Sequence, residues 1–202
     1  MNINLTGSDT AAALYLAEKA GLSVSDDKNA FVLRTDENKT FSKLETYERL
    51  SAAGLPLPER FPGGSEPYIV RPDHGRNCRG LWINEDYCEA GGAVNSGCLV
   101  EEFLAGPLYL AQVVGAPGAY RALPLLRAAV DDRCAPQGAE LAEDSSLQAL
   151  ALAAAECLQA QGYLCVKFVN GRIVSADDGL AGFAPRALYD LTGENILSAM
   201  IK

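Results

Sequence analysis

GYLCVKFVNGRIVSADD, residues 162–178, decides the architecture. YLCVKFV and RIVSA are two strand-forming runs rich in β-branched and aromatic residues. Asn170-Gly171 lies between them, and this dipeptide tolerates the left-handed backbone of a two-residue turn, so the segment predicts a β-hairpin. Just before it, residues 145–161 are rich in Ala and Leu and stop at Gly162, which predicts a helix. A polar loop is expected over residues 131–144, and a loop over residues 177–185 is expected to lead to a last helix near Glu194.

Further toward the N-terminus, LYLAQVV (108–114) and AYRALPLL (119–126) read as strands joined by the turn Gly115-Ala116-Pro117-Gly118, and CLVEEF (98–103) reads as another. YIVRP (68–72) and GLWIN (80–84) predict a hairpin around the glycine- and charge-bearing tip HGRNCRG (74–80). In KLETYERLSAAG, Leu44, Tyr47, Leu50 and Ala53 recur at helical spacing; Ser42 can cap this helix, and Gly54, Pro56 and Pro58 end it. AAALYLAEKA (11–20) is a second helical run, followed by short strand pieces at 22–24 and 30–33. Helices interleaved with antiparallel hairpins give α+β as the fold class.

The chain has 202 residues, 49% apolar and 21% charged, with no low-complexity tract, which predicts a globular protein able to bury a proper core. The net charge of −9 would repel nucleic acid and anionic membrane surfaces alike, so neither is expected as a partner. MNINLTGSDT has no basic segment followed by an apolar run, and the longest apolar stretch is too short to span a bilayer, which gives a cytoplasmic location as the expectation. Six cysteines form no C-x-x-C, and the single histidine, His74, stands far from a Cys pair, so reduced structural thiols are expected in place of zinc or disulfides.

Taken in order and spacing, SKLETYERLSAAGLPLP (42–58), YIVRPDHGRNCRG (68–80), CLVEEFLAG (98–106) and the 162–178 segment resemble the motif segments of ATP-grasp enzymes. The resemblance runs from about residue 42 to the C-terminus. It extends to the carboxylate-amine ligases similar to tyramine-glutamate ligase of methanofuran synthesis, because RALPLLRA (121–128) and TGEN (192–195) also have counterparts there. It implies two α+β lobes with antiparallel sheets around an ATP cleft. Residues 1–41 would be a remnant of the family's N-terminal parallel α/β domain, otherwise largely missing. Residues 42–202 would be the ATP-grasp domain, with a small lobe at about 65–105 and the remainder forming the large lobe. A second copy or a partner ligase subunit could complete the missing lobe.

The resemblance assigns residues one by one. Lys43 and Arg71 match the two phosphate-directed basic positions, and the bland alternative for Lys43 is a solvated lysine at a helix start. Arg76 and Arg79 flank the tip of the loop that would close over a triphosphate, where glycine backbone suits anion binding. Glu101 matches the residue that meets the adenine amino group, and Leu104 the position whose backbone reads the ring; the bland alternative for Glu101 is a surface acid on an edge strand. The ribose-binding acid would fall near Leu108, where no carboxylate stands.

Family chemistry also needs magnesium, held by an acid on the penultimate strand and by Glu-x-Asn on the last one. Those positions are Lys167 and Ser175-Ala176-Asp177, and the arginine expected to follow is Gly179. Asp177 and Asp178 could hold one ion with water, but the Lys167 ammonium would oppose it. Lys167 could instead stand in for a cation against phosphate, or it could pair with Asp177 or face solvent. The resemblance therefore implies a nucleotide or small anionic ligand with impaired ligase chemistry in a binding or regulatory subunit, and assigns no catalytic residue. An active ATP-dependent ligase with a rearranged metal site, and a scaffold module without nucleotide, are the alternatives.

Overall fold

The computed structural model describes residues 2–6, 10–26, 30–34, 42–73, 81–131, 134–180 and 182–201. The leading unit runs β1 (Asn2–Thr6), α1 (Ala11–Lys19), β2 (Ser23–Val24) and β3 (Phe31–Arg34), with the strands parallel in the order β2–β1–β3. Helix α2 (Lys43–Ala52) follows. Then come β4 (Tyr68–Pro72), β5 (Trp82–Asn84), α3 (Tyr87–Asn95) and β6 (Cys98–Glu102), whose strands form an antiparallel sheet in the order β5–β4–β6.

The larger sheet is built from β7 (Leu108–Gly115), β8 (Arg121–Ala122), β9 (Leu125–Val130), β10 (Pro136–Ala142), β11 (Gly162–Val169) and β12 (Arg172–Asp177). Its order is β10–β9–β7–β11–β12, with β8 alongside β7, and every pairing is antiparallel. Helix α4 (Ser145–Leu158) separates β10 from β11, and α5 (Phe183–Thr192) and α6 (Ile196–Ile201) close the chain. The architecture is thus α+β with antiparallel sheets, as the sequence predicts.

Strand periodicity divides the large sheet between two cores. On β11, Leu164, Val166 and Phe168 point to one face, where Ala151, Ala154, Ala155 and Leu158 of α4 cover them. Tyr163 and Cys165 point to the other, in a cluster shared with Leu188 of α5, Ile196 and Leu197 of α6, and Ile3, Leu16 and Ala17 of the leading unit. Asn195 secures this second layer: its Nδ2 donates to the Leu16 carbonyl at 2.7 Å, and its Oδ1 accepts from the Leu197 amide at 3.0 Å.

The predicted turn and cap both form. Asn170 and Gly171 adopt φ of 49° and 74° between β11 and β12, the left-handed pair that a two-residue hairpin requires. At α2, Ser42 Oγ accepts from the Glu45 amide at 3.2 Å while Glu45 Oε2 accepts from the Ser42 amide at 2.9 Å, a complete capping box. Ser42→Ala is expected to lower stability by about 1 kcal/mol in urea unfolding, because it orphans a first-turn amide.

Three local expectations need correction. The polar loop of 131–144 contains β10, an edge strand without a fully buried residue, paired with β9 from Pro136↔Val130 to Ala142↔Leu125. The last helix near Glu194 is two helices, α5 and α6, because Gly193 turns left-handed at φ 72° and ends α5. Helix α3 lies between the second and third strands of the small sheet, where only strands were expected; Asp86 starts it by accepting from the amides of Cys88 and Glu89.

Candidate functional site

Between the small sheet and the large one lies a cavity of about 550 Å³, a volume typical of sites that enclose a small molecule. Its wall is mostly apolar. Lys43, Arg71, Glu101, Leu104, Lys167 and Asp177, six residues singled out from the sequence, all line it. Asp178 follows Asp177 but is not part of the lining. Arg76 and Arg79 lie outside the described residues, as does His74.

Each side chain reaches the cavity for a local reason. Along β4, Tyr68 and Val70 are buried toward Ala90 of α3, so alternation turns Ile69 and Arg71 to the cleft. Lys43 opens α2 behind the Ser42 cap, and its Nζ donates to the Pro72 carbonyl at 2.5 Å and the Asp73 carbonyl at 3.3 Å. The Leu44 amide donates to Asp73 Oδ1 at 2.9 Å, which fixes the start of the helix against the end of β4.

Arg71 is the link between the sheets. One guanidinium nitrogen donates to the Val174 carbonyl on β12 and another to Glu101 Oε2 on β6. Glu101 is 1% exposed, so the expectation of a surface acid does not hold for it. Burial pushes its carboxyl above the ordinary glutamate range, and the adjacent Arg71 guanidinium only partly opposes that push. Next to it, Glu102 pairs with Arg172 of β12 and also accepts from the Glu59 amide at 2.9 Å. Asn170 Nδ2 donates to the Ala105 carbonyl at 3.0 Å, so the last hairpin is fastened to the exit of β6 at several points.

Elsewhere in the cleft, Lys167 Nζ stands 2.7 Å from Asp177 Oδ2, and Ser175 Oγ donates to the same oxygen at 3.1 Å. The register produces this pair: Lys167 lies opposite Ser175 and Cys165 opposite Asp177, so lysine and aspartate are diagonal neighbours on one face of the β11–β12 ladder. The pairing of Lys167 with Asp177, one of the arrangements open in the sequence, forms. Lys167 remains 30% exposed and Asp177 8%.

This chemistry does not fit magnesium. A hard dication of that size demands near-octahedral oxygen ligation, usually with one or two carboxylates committed to it. Asp177 is already engaged by an ammonium, and Glu101 by a guanidinium. Among the described residues, no group of three or more His, Cys, Asp or Glu side chains is arranged to hold a metal ion.

No site role is read in the sequence for Tyr163, Cys134 or Cys165, the thiols being expected as structural. Tyr163, Cys165 and Cys134 all line the cavity. Tyr163 donates its hydroxyl to Gln112 Oε1 at 2.9 Å, and Gln112 Nε2 donates to the Ala184 carbonyl at 3.2 Å, a buried relay that holds the start of α5 against the sheet. Burial keeps the Tyr163 hydroxyl well above its ordinary titration range, so it stays a neutral donor. The signal was available, since period-two alternation in GYLCVKFV puts Tyr163, Cys165 and Lys167 on one face.

No helix among the described residues is long and apolar enough to cross a membrane. No family model and no curated protein matches the chain. Solved structures do. An L-amino acid ligase from Bacillus licheniformis is similar with a TM-score of 0.74 at 15% identity, over 99% of this chain and 73% of that one. The biotin carboxylase domain of Hydrogenobacter thermophilus 2-oxoglutarate carboxylase, in complex with MgADP, ADP and bicarbonate, gives 0.74 at 12% identity, over 99% and 68%. D-alanine–D-alanine ligase from Bacillus anthracis, complexed with ATP, gives 0.63 at 13% identity, over 100% and 99%. With its two antiparallel sheets around a cleft and these ligases as structural neighbours, the chain has the ATP-grasp fold.

Proposed function

We propose that the cleft binds an adenine nucleotide or another small anionic ligand without a divalent cation, and that the chain works as a binding or regulatory subunit of carboxylate-amine ligase type, impaired in phosphoryl transfer. The observation that carries this reading is the Lys167–Asp177 ion pair, 2.7 Å long, inside a cavity of about 550 Å³. A fixed ammonium stands where a metal-dependent site needs an additional carboxylate, while the cavity still has room for a ligand.

Within this reading Glu101 and the backbone at Leu104 meet the adenine edge. Lys43, Arg71 and Lys167, with Arg76 and Arg79 from the neighbouring loop, meet the anionic part. Asp177 is then the partner of a basic group rather than a magnesium ligand, and Asp178 stands outside the lining. The ATP complex of the Bacillus anthracis ligase supports a nucleotide at the level of the shared fold. The resemblance to tyramine-glutamate ligase supports an amine-ligase context, with an active ligase or a second copy as the partner. A scaffold role would require a filled cleft, and the cavity volume argues against it.

Calorimetry with ATP, ADP and AMP, each in EDTA and in magnesium, tests the proposal. Wild type is expected to bind with a dissociation constant that magnesium changes less than about twofold, whereas Lys167→Asp gains about tenfold in affinity on adding magnesium, roughly the 1.4 kcal/mol that one well-placed charge supplies. Absence of heat with ATP, ADP and AMP alike overturns the reading. Magnesium-dependent ADP release by wild type would restore the active-ligase alternative.

A further inference from the structure

Resting on the nucleotide reading, the wall chemistry narrows what the ligand is. Among the described residues the lining carries three cations, Lys43, Arg71 and Lys167, against four carboxylates, Glu101, Glu102, Asp131 and Asp177, and Glu102 is paired with Arg172 behind the wall, so the acids cancel the cations and leave no net positive charge. The cations are also engaged from within. Arg71 is held by Glu101, Lys167 by Asp177 at 2.7 Å, and Lys43 by the Pro72 carbonyl at 2.5 Å. A polyanion entering this cleft must share each cation with a carboxylate or carbonyl held in β4, β6 or β12.

The apolar wall has the opposite character, because it is incompletely covered. Ile83 of β5 and Val130 of β9 are 41% and 40% exposed, and both line the cavity, one from each sheet. A flat ring that covered either of them would remove apolar surface from water, the contribution that dominates small-molecule burial. Attraction is thus concentrated on a ring, while the electrostatic return on added phosphates is poor.

We propose that the cleft selects a ligand of low charge, a nucleoside or nucleoside monophosphate, over the corresponding triphosphate. This is a specificity determined by carboxylates that neutralise the basic wall, and it goes beyond the absence of a metal site.

The test is calorimetric titration with adenosine, AMP, ADP and ATP in EDTA, on wild type, Asp177→Asn and Asp131→Asn. Wild type is expected to bind adenosine or AMP about tenfold or more tightly than ATP, and each neutralising variant to narrow that gap several-fold by relieving charge repulsion. Asp131 sits in the β9–β10 connection, where it accepts from the Ala135 amide at 2.9 Å and from Gln137 Nε2 at 2.8 Å, so its isosteric amide keeps the experiment decisive if the buried Asp177 variant folds poorly. ATP binding as tightly as AMP or more tightly overturns the inference and leaves the nucleotide reading standing. If that ATP preference disappears in Arg76→Ser/Arg79→Ser, the loop of residues 74–80 sets the charge of the site and the inference is likewise overturned. Absence of heat with all four ligands overturns the nucleotide reading and this inference with it.

Discussion

Glu101→Ala is expected to lower the unfolding free energy by about 3–5 kcal/mol, because it strands the Arg71 guanidinium in a protein interior without its carboxylate. Glu101 is 1% exposed, and the pair spans β4 and β6 while Arg71 also holds the Val174 carbonyl on β12. The double replacement Arg71→Met/Glu101→Leu should recover most of the loss, since an apolar pair of similar volume avoids the desolvation that two buried charges suffer. Guanidinium chloride unfolding of the two variants separates the outcomes: equal losses in both would show that packing, not the stranded charge, is responsible.

The same carboxyl gives a pH signature. Burial raises its folded-state titration above the unfolded one. Between those two titrations the native state holds more protons than the unfolded chain, so stability is present below the ordinary glutamate range and declines as pH rises through the raised one. Glu101→Gln removes that component of the slope. A slope of the same size in wild type and variant would mean that Glu101 titrates normally.

Phe168→Ala should cost about 3–5 kcal/mol as well, for an apolar reason: the ring is fully buried at 0% exposure near the end of β11, and alanine leaves a void beneath α4. Its cluster partners Ala151, Ala154 and Ala155 are small and sit on a helix fixed at its N-terminus by Asp144, so the site has little means of collapsing into the gap. Phe168→Leu should recover roughly half of the loss. Thermal unfolding checks both variants. Because the ring faces α4 and not the cleft, the folded fraction of Phe168→Ala should bind ligand as wild type does.

The parts of the fold legible in the sequence are those governed by local chemistry. Asn170-Gly171 specifies its turn by its own backbone preference, and Ser42 with Glu45 specifies a helix start. Strand β10 escaped because an edge strand buries little, so PQGAELA carries no apolar alternation to read. Helix α3 escaped because Gly91 and Gly92 depress the propensity of YCEAGGAVN, and its stability comes from Ala90 and Ala93 packing against Tyr68 and Val70. At the site, the lining positions of Lys43, Arg71, Glu101, Leu104, Lys167 and Asp177 followed from motif order. The partnership of Arg71 with Glu101 did not, since 30 residues and the β4–β6 register bring the two together. Nor did the relay from Tyr163 through Gln112 to Ala184, which joins three elements remote in sequence.

The Asn195 side chain that donates to the Leu16 carbonyl joins groups 179 positions apart. Closing a loop that long has a large entropic cost, so the contact is worth making only after the sheets it encloses are in place. The leading parallel unit and helix α6 thus form a late-closing clasp around the large sheet. Local opening there would loosen α5 and the Ala184 end of the cleft before it disturbed α4 or the hairpin beneath it.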